Sequence, residues 1–187
     1  MKEFFNLLSS IHELSLGLQQ NLLQSLKTQD LERKGFLLTE GELCKSIYYI
    51  EKGLLRCFYT TNSQEVCSWF MKEGDLIISV PSFFPQKPSY ESIQALEDCS
   101  LLCLGYDELQ KMYWNFLELN FVARVLTEKY YVLAEERLYS LRKHSAPERY
   151  AFLREKYPEL IQRVPSKYLA SYLGISEETL SRIKSKI

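Results

Sequence analysis

The chain has 187 residues, 46% hydrophobic and 25% charged, an ordinary composition for a globular protein. No apolar run approaches the roughly 20 residues that span a bilayer, and the first residues lack the apolar stretch and cleavage site of an export signal, so the cytoplasm is the expected compartment. The net charge of −1 hides a gradient: the first 141 residues hold 13 Lys and Arg against 19 Asp and Glu, whereas the last 46 hold 10 against 5, the layout of a basic nucleic-acid module on an acidic body.

Leu14, Leu18, Leu22 and Leu26 recur every four residues, with Leu16 and Leu23 beside them, which predicts an amphipathic helix from about Glu13 to Leu26. Between Leu31 and Leu104 the pattern changes to short apolar runs: Phe36–Leu38, Ile47–Ile50, Leu54–Tyr59, Val66–Met71, Leu76–Val80, Ile93–Leu96 and Leu101–Leu104. Gly35, Gly41, Gly53 and Gly74 punctuate them. Short strands at near-regular spacing predict a barrel or jelly roll, with a hairpin tip at Thr60–Gln64.

Five cysteines, Cys44, Cys57, Cys67, Cys99 and Cys103, lie on these strand-like runs; an odd, dispersed set reads as reduced and mostly buried thiols. Cys99 and Cys103, four residues apart on one strand, would stand about 13 Å apart, too far to share a zinc ion. No metal or other cofactor is expected.

From Asp107 to His144 there is no Gly or Pro, which predicts a long helix with a break near Trp114–Leu119. Val122, Leu126, Tyr130, Leu133 and Arg137 form one stripe on it, read as the dimerisation stripe; Phe121, Val125, Val132 and Tyr139 form a second. A helix apolar on two faces must be covered on two sides, here by the barrel and by the same helix of a second subunit. Pro147 is expected to close this helix, and a further one is expected over Glu148–Tyr157.

The segment from Ser166 to Ile183 fits a helix-turn-helix. Ala170 is the small residue where two helices cross, Gly174 supplies the positive φ of the turn, and Leu169, Leu173, Ile175, Leu180 and Ile183 form the internal core. Ser176 is a natural N-cap, and Glu177 and Glu178 suit the first turn of the second helix.

The order of parts, together with Gly41-Glu42-Leu43-Cys44-Lys45-Ser46-Ile47-Tyr48-Tyr49-Ile50-Glu51-Lys52-Gly53, Lys72-Glu73-Gly74-Asp75-Leu76-Ile77 and Leu173-Gly174-Ile175-Ser176-Glu177-Glu178-Thr179-Leu180-Ser181-Arg182-Ile183, resembles the Crp/Fnr superfamily over nearly the whole chain. The resemblance implies an α+β chain in three parts: an N-terminal helix and jelly-roll sensor domain over residues 1–117, a dimerisation helix over 118–145, and a helical helix-turn-helix domain over 146–187. It implies a homodimer on palindromic double-stranded DNA, RNA polymerase as a further partner, and a reading surface of Lys167, Ser176, Glu177, Glu178, Thr179, Ser181, Arg182, Lys184 and Lys186. Glu178 and Arg182 fall on the family's principal base-reading positions.

The implied effector pocket comprises Gly74, Asp75, Ser79, Phe83, Ser89 and Tyr90. Cyclic-AMP-binding members carry a Glu for the ribose and, about ten residues on, an Arg for the cyclic phosphate; Ser79 stands near the first position and Ser89 or Tyr90 near the second. Lys87 is the one nearby cation. The resemblance therefore implies a different small-molecule effector or none. Family members often continue into a β-hairpin wing, whereas this sequence stops at Ile187, which implies fewer phosphate contacts. An enzyme is not expected, since His12 and His144 sit in no catalytic motif. The competing function is a ligand-binding adaptor with no DNA binding.

Overall fold

A computed structural model describes residues 1–186. Two short helices, α1 (Lys2–Ser9) and α2 (Leu16–Ser25), open the chain. Ser15 caps α2 by accepting from the Leu18 amide at 3.2 Å, so this helix starts at Leu16 rather than Glu13. Helix α1 has no counterpart among the predicted elements, because it buries only Phe4 and Leu8, too few positions to form a readable stripe.

Eight strands follow: β1 (Lys27–Leu31), β2 (Phe36–Leu38), β3 (Ser46–Lys52), β4 (Leu54–Thr61), β5 (Gln64–Lys72), β6 (Leu76–Ile77), β7 (Ser92–Ala95) and β8 (Cys99–Gly105). They form two antiparallel four-stranded sheets, ordered β1-β8-β3-β6 and β2-β7-β4-β5, the two layers of a jelly roll. The β4–β5 hairpin turns at Asn62 and Ser63, both at positive φ (48° and 61°), the geometry that matches the strand twist. A one-turn helix, α3 (Val80–Phe83), interrupts the β6–β7 connection.

Helix α4 (Tyr106–Asn115) leads into α5 (Leu117–Lys143), and the break between them falls at Phe116 (φ −133°, ψ 100°), inside the predicted window. The helices α6 (Ala146–Lys156), α7 (Pro158–Arg163), α8 (Ser166–Leu173) and α9 (Glu177–Lys184) complete the described chain. Pro147 sits in the first turn of α6 and opens that helix rather than closing α5, because a helix start needs no amide there.

Two apolar clusters hold the molecule together. One fills the barrel with Leu18, Leu22, Ile50, Leu55, Ile93 and Leu101, and is closed by Leu119, Val122 and Leu126 of α5. The other joins the outer face of the barrel, through Leu54, Phe58, Cys67, Phe70 and Leu96, to Tyr150, Leu153, Leu169, Leu173 and Ile183 of the C-terminal helices. Strand β4 is therefore buried on both faces from Leu54 to Phe58. The cysteines are free thiols, four buried and Cys103 half-buried, and burial pushes the Cys57 thiol well above its usual range.

This packing reverses the assignment of the α5 stripes. Val122 and Leu126 enter the barrel core, and the Tyr130 hydroxyl accepts from the Leu76 amide at 2.8 Å. Leu133 lines the gap between α5 and the C-terminal helices. Arg137 donates to the carbonyls of Ser68 (2.9 Å) and Tyr172 (2.7 Å) and lies 3.4 Å over the Tyr172 ring. The predicted dimerisation stripe is thus occupied within its own chain. The second stripe is the free one: Phe121, Val132 and Tyr139 are exposed and Val125 is half-buried.

Candidate functional site

The helix-turn-helix is built by local rules. Gly174 ends α8 in the left-handed conformation (φ 67°, ψ 39°), which lets the Ile175 amide reach back to the Ala170 carbonyl at 3.0 Å. Ser176 then caps α9, accepting from the Thr179 amide at 3.2 Å. Ala170, Leu169, Leu173, Leu180 and Ile183 are buried where the two helices meet. With Leu180 and Ile183 turned inward, the 100° step per residue leaves Glu178, Ser181 and Arg182 on the outer face of α9, all exposed. Arg182 donates to the Thr179 hydroxyl at 3.2 Å. Lys184 donates to the Ser166 hydroxyl at 3.2 Å, so the start of α8, with Lys167 exposed, and the end of α9 share one edge. Glu177 and Lys186 are exposed at the two ends of the same surface.

Helix α8 is also the contact with the barrel. The Ser171 hydroxyl donates to the Glu65 carbonyl at 3.0 Å and accepts from the Cys67 amide at 2.9 Å. Arg56, only 1% exposed, reaches outward from β4 and is held between the rings of Phe58 (3.9 Å) and Tyr168 (3.7 Å). It donates to Glu65 at 2.6 Å and twice to the Gln94 side-chain oxygen. Nearby, Arg163 of α7 pairs with Glu73 (2.8 Å) and Glu97 (2.6 Å) on the barrel rim. That guanidinium holds the Glu73 carboxyl down at about 2, against a usual value of 4.5.

Inside the barrel lies a cavity of about 610 Å³ between the strands, the N-terminal helices and α5. Its walls are mostly apolar, with Met71, Phe83, Leu102, Leu104, Val122 and Leu126 among them, and among the described residues Glu91 is the one carboxylate on the lining. The residues predicted for an effector pocket divide. Phe83 and Tyr90 line the cavity. Ser79 and Ser89 are buried and bond to each other at 2.9 Å, while the Ser89 hydroxyl also donates to the Glu91 carbonyl. Gly74 and Asp75 do not belong to it: Gly74, at φ 87°, and Asp75, which accepts from the Lys72 amide at 3.1 Å, form the β5–β6 turn. That turn is needed for chain reversal, which explains a Gly-Asp pair without any ligand. Lys87 is exposed and off the cavity wall, so it replaces no missing cation there.

Residues 28–115 match the family model described as the cyclic nucleotide-binding domain, a span that runs from β1 to the end of α4. The barrel is thus similar to a cyclic nucleotide-binding domain. No curated protein matches the chain in sequence. Among solved structures it is similar to FixK2 of Bradyrhizobium japonicum, with a TM-score of 0.71 at 19% identity over 86% of this chain and 83% of that one. It is similar to CLP of Xanthomonas campestris, described as a c-di-GMP-responsive global regulator, at 0.72 and 17% over 92% and 91%. For the catabolite activator protein of Thermus thermophilus the values are 0.58 and 21% over 94% and 84%. At such identities the likeness establishes the fold, so the chain has the Crp/Fnr fold from the cyclic nucleotide-binding domain through to the helix-turn-helix.

Two buried charged residues of this domain escaped the reading of the sequence. Glu91 carried a usable signal, since it precedes Ile93 and Ala95 by steps of two and so shares their inward face. Arg56 carried a weaker one, an arginine within the otherwise apolar run Leu54–Tyr59 of β4.

Proposed function

We propose that the chain is a homodimeric, sequence-specific DNA-binding transcription regulator of the Crp/Fnr type, cytoplasmic, acting with RNA polymerase, and not an enzyme. The observation that carries this is the outer face of α9, where Glu178, Ser181 and Arg182 stand exposed on a second helix fixed by a capped turn. Such a helix fits the major groove, and a planar guanidinium can reach the O6 and N7 acceptors of one guanine together. Glu178 can accept from a cytosine amino group, while Lys167, Lys184 and Lys186 suit phosphates.

Selection from a randomised duplex library, with the wild type and Arg182→Ala, tests this reading. Arg182→Ala is expected to cost about 1–3 kcal/mol on the preferred site and to flatten preference at one base pair of each half-site; Lys184→Ala should weaken all sequences about equally and reduce the salt slope. Uniform weakening by Arg182→Ala would make it a phosphate clamp. No enrichment by the wild type would favour the adaptor function.

Dimerisation is supported by the free stripe of α5. Phe121, Val125, Val132 and Tyr139 are separated by steps of four, seven and seven residues, spacing compatible with the heptad repeat of a two-helix seam. Light scattering is expected to give twice the chain mass of 22.0 kDa, with Val132→Glu returning the monomer and Leu133→Glu destabilising the fold instead. A monomeric wild type at micromolar concentration would remove the dimer. Its palindromic target would have half-site centres about 34–36 Å apart.

A further inference from the structure

Three observations on the barrel cavity point to a class of ligand. Its volume, about 610 Å³, is within the range of small-molecule pockets. Its lining includes aromatic and aliphatic side chains but, among the described residues, no Lys, Arg or His. On that wall Glu91 is only 9% exposed, and the Ser68 hydroxyl beside it is buried with no hydrogen-bond partner. A buried carboxylate and an orphaned hydroxyl facing one apolar space are costly unless something else satisfies them.

We propose that this cavity binds an elongated apolar molecule ending in a hydrogen-bond donor, an amine or an alcohol, whose head is accepted by Glu91 and Ser68 and whose body lies along Trp69, Phe83 and Leu126. The charge on the wall decides the sign. An anionic head, whether a carboxylate or the phosphate of a cyclic nucleotide, would face Glu91 with no cation to offset it, and Ser89 in place of a guanidinium offers no charge-assisted bond. Burial pushes the Glu91 carboxyl above its usual range, and the Ser79 hydroxyl offsets this only in part. An aromatic wall beside a carboxylate also suits an ammonium group. The ligand touches α5 directly, since Ala123, Leu126 and Tyr130 line the same space.

The inference does not depend on DNA binding and is read on the protein alone. Displacement of the neutral fluorophore N-phenyl-1-naphthylamine from the full chain would be followed with decylamine, decanol, decanoate and cyclic AMP. Decylamine and decanol are expected to displace it in the micromolar range, decanoate at least about tenfold more weakly, as loss of one charge-assisted hydrogen bond implies, and cyclic AMP not at all. If decylamine leads, Glu91 acts as a carboxylate; if decanol leads, as a neutral acid; either supports the donor-headed ligand. Glu91→Gln should shrink the gap between decylamine and decanoate to about threefold or less, and Leu126→Trp, which fills the space, should abolish binding of all three. Decanoate binding as tightly as decylamine, displacement by cyclic AMP, or no displacement by either donor at up to about 1 mM would overturn the proposal, and these results need no variant to fold.

Discussion

Replacing Arg56 by alanine is expected to lower the unfolding free energy by about 2–4 kcal/mol, whereas Arg56→Met should stay within about 1 kcal/mol of the wild type. The guanidinium lies between Phe58 and Tyr168, so its removal empties a slot that belongs half to the barrel and half to α8. Its carboxylate partner Glu65 is 45% exposed and regains water when the cation is gone, which leaves lost packing rather than an orphaned charge as the main cost. Methionine keeps most of the stem in the slot. Urea unfolding of the two variants separates the alternatives: equal losses would mean that the ion pair carries the stability, and a loss below about 1 kcal/mol for alanine would mean that the slot closes by itself.

Gly53→Ala is expected to cost about 2–5 kcal/mol, for two reasons that add. Gly53 lies at φ 101°, a conformation that L side chains rarely adopt, and a Cβ there would stand 2.7 Å from the Asp98 carbonyl oxygen and 2.9 Å from the Cys99 Cα. Both obstacles are backbone and cannot rotate away. Gly41 provides the control, since its φ of 90° is similar but nothing lies within 4 Å of a Cβ. Gly41→Ala should therefore show only the conformational cost, about 1–3 kcal/mol. Equal thermal shifts for the two variants would show that the β3–β4 turn gives way without resistance.

What the sequence disclosed and what it withheld follow from the range of each interaction. The helix-turn-helix was legible to the residue, because Ala170, Gly174 and Ser176 are dictated by a crossing, a turn and a cap, all settled within a few positions along the chain. The strands were legible where apolar residues alternate with turns, but β1, reading Lys-Thr-Gln-Asp-Leu, is a polar edge strand known only by its pairing with β8. The two stripes of α5 were visible as stripes. Which of them meets the barrel depends on the rotation of the helix about its axis, and that rotation is set by Tyr130 reaching Leu76 and Arg137 reaching Ser68, contacts 54 and 69 residues distant. In the barrel, Ser79 and Ser89 could be read from the sequence as uncharged positions, whereas Glu91 was legible only through strand alternation.

Strand β4 takes part in two cores at once, and that sharing bears on what can be taken apart. Phe58, Phe70 and Leu96 meet water only if the C-terminal helices leave. A fragment ending near residue 145 would carry a complete barrel by sequence and a bare greasy wall by chemistry, the kind of patch that drives chains together out of solution. The boundary that looks clean along the chain is thus a poor place to cut: barrel and C-terminal helices are expected to melt in one transition, and a barrel cut free to leave a wall that no water wets well.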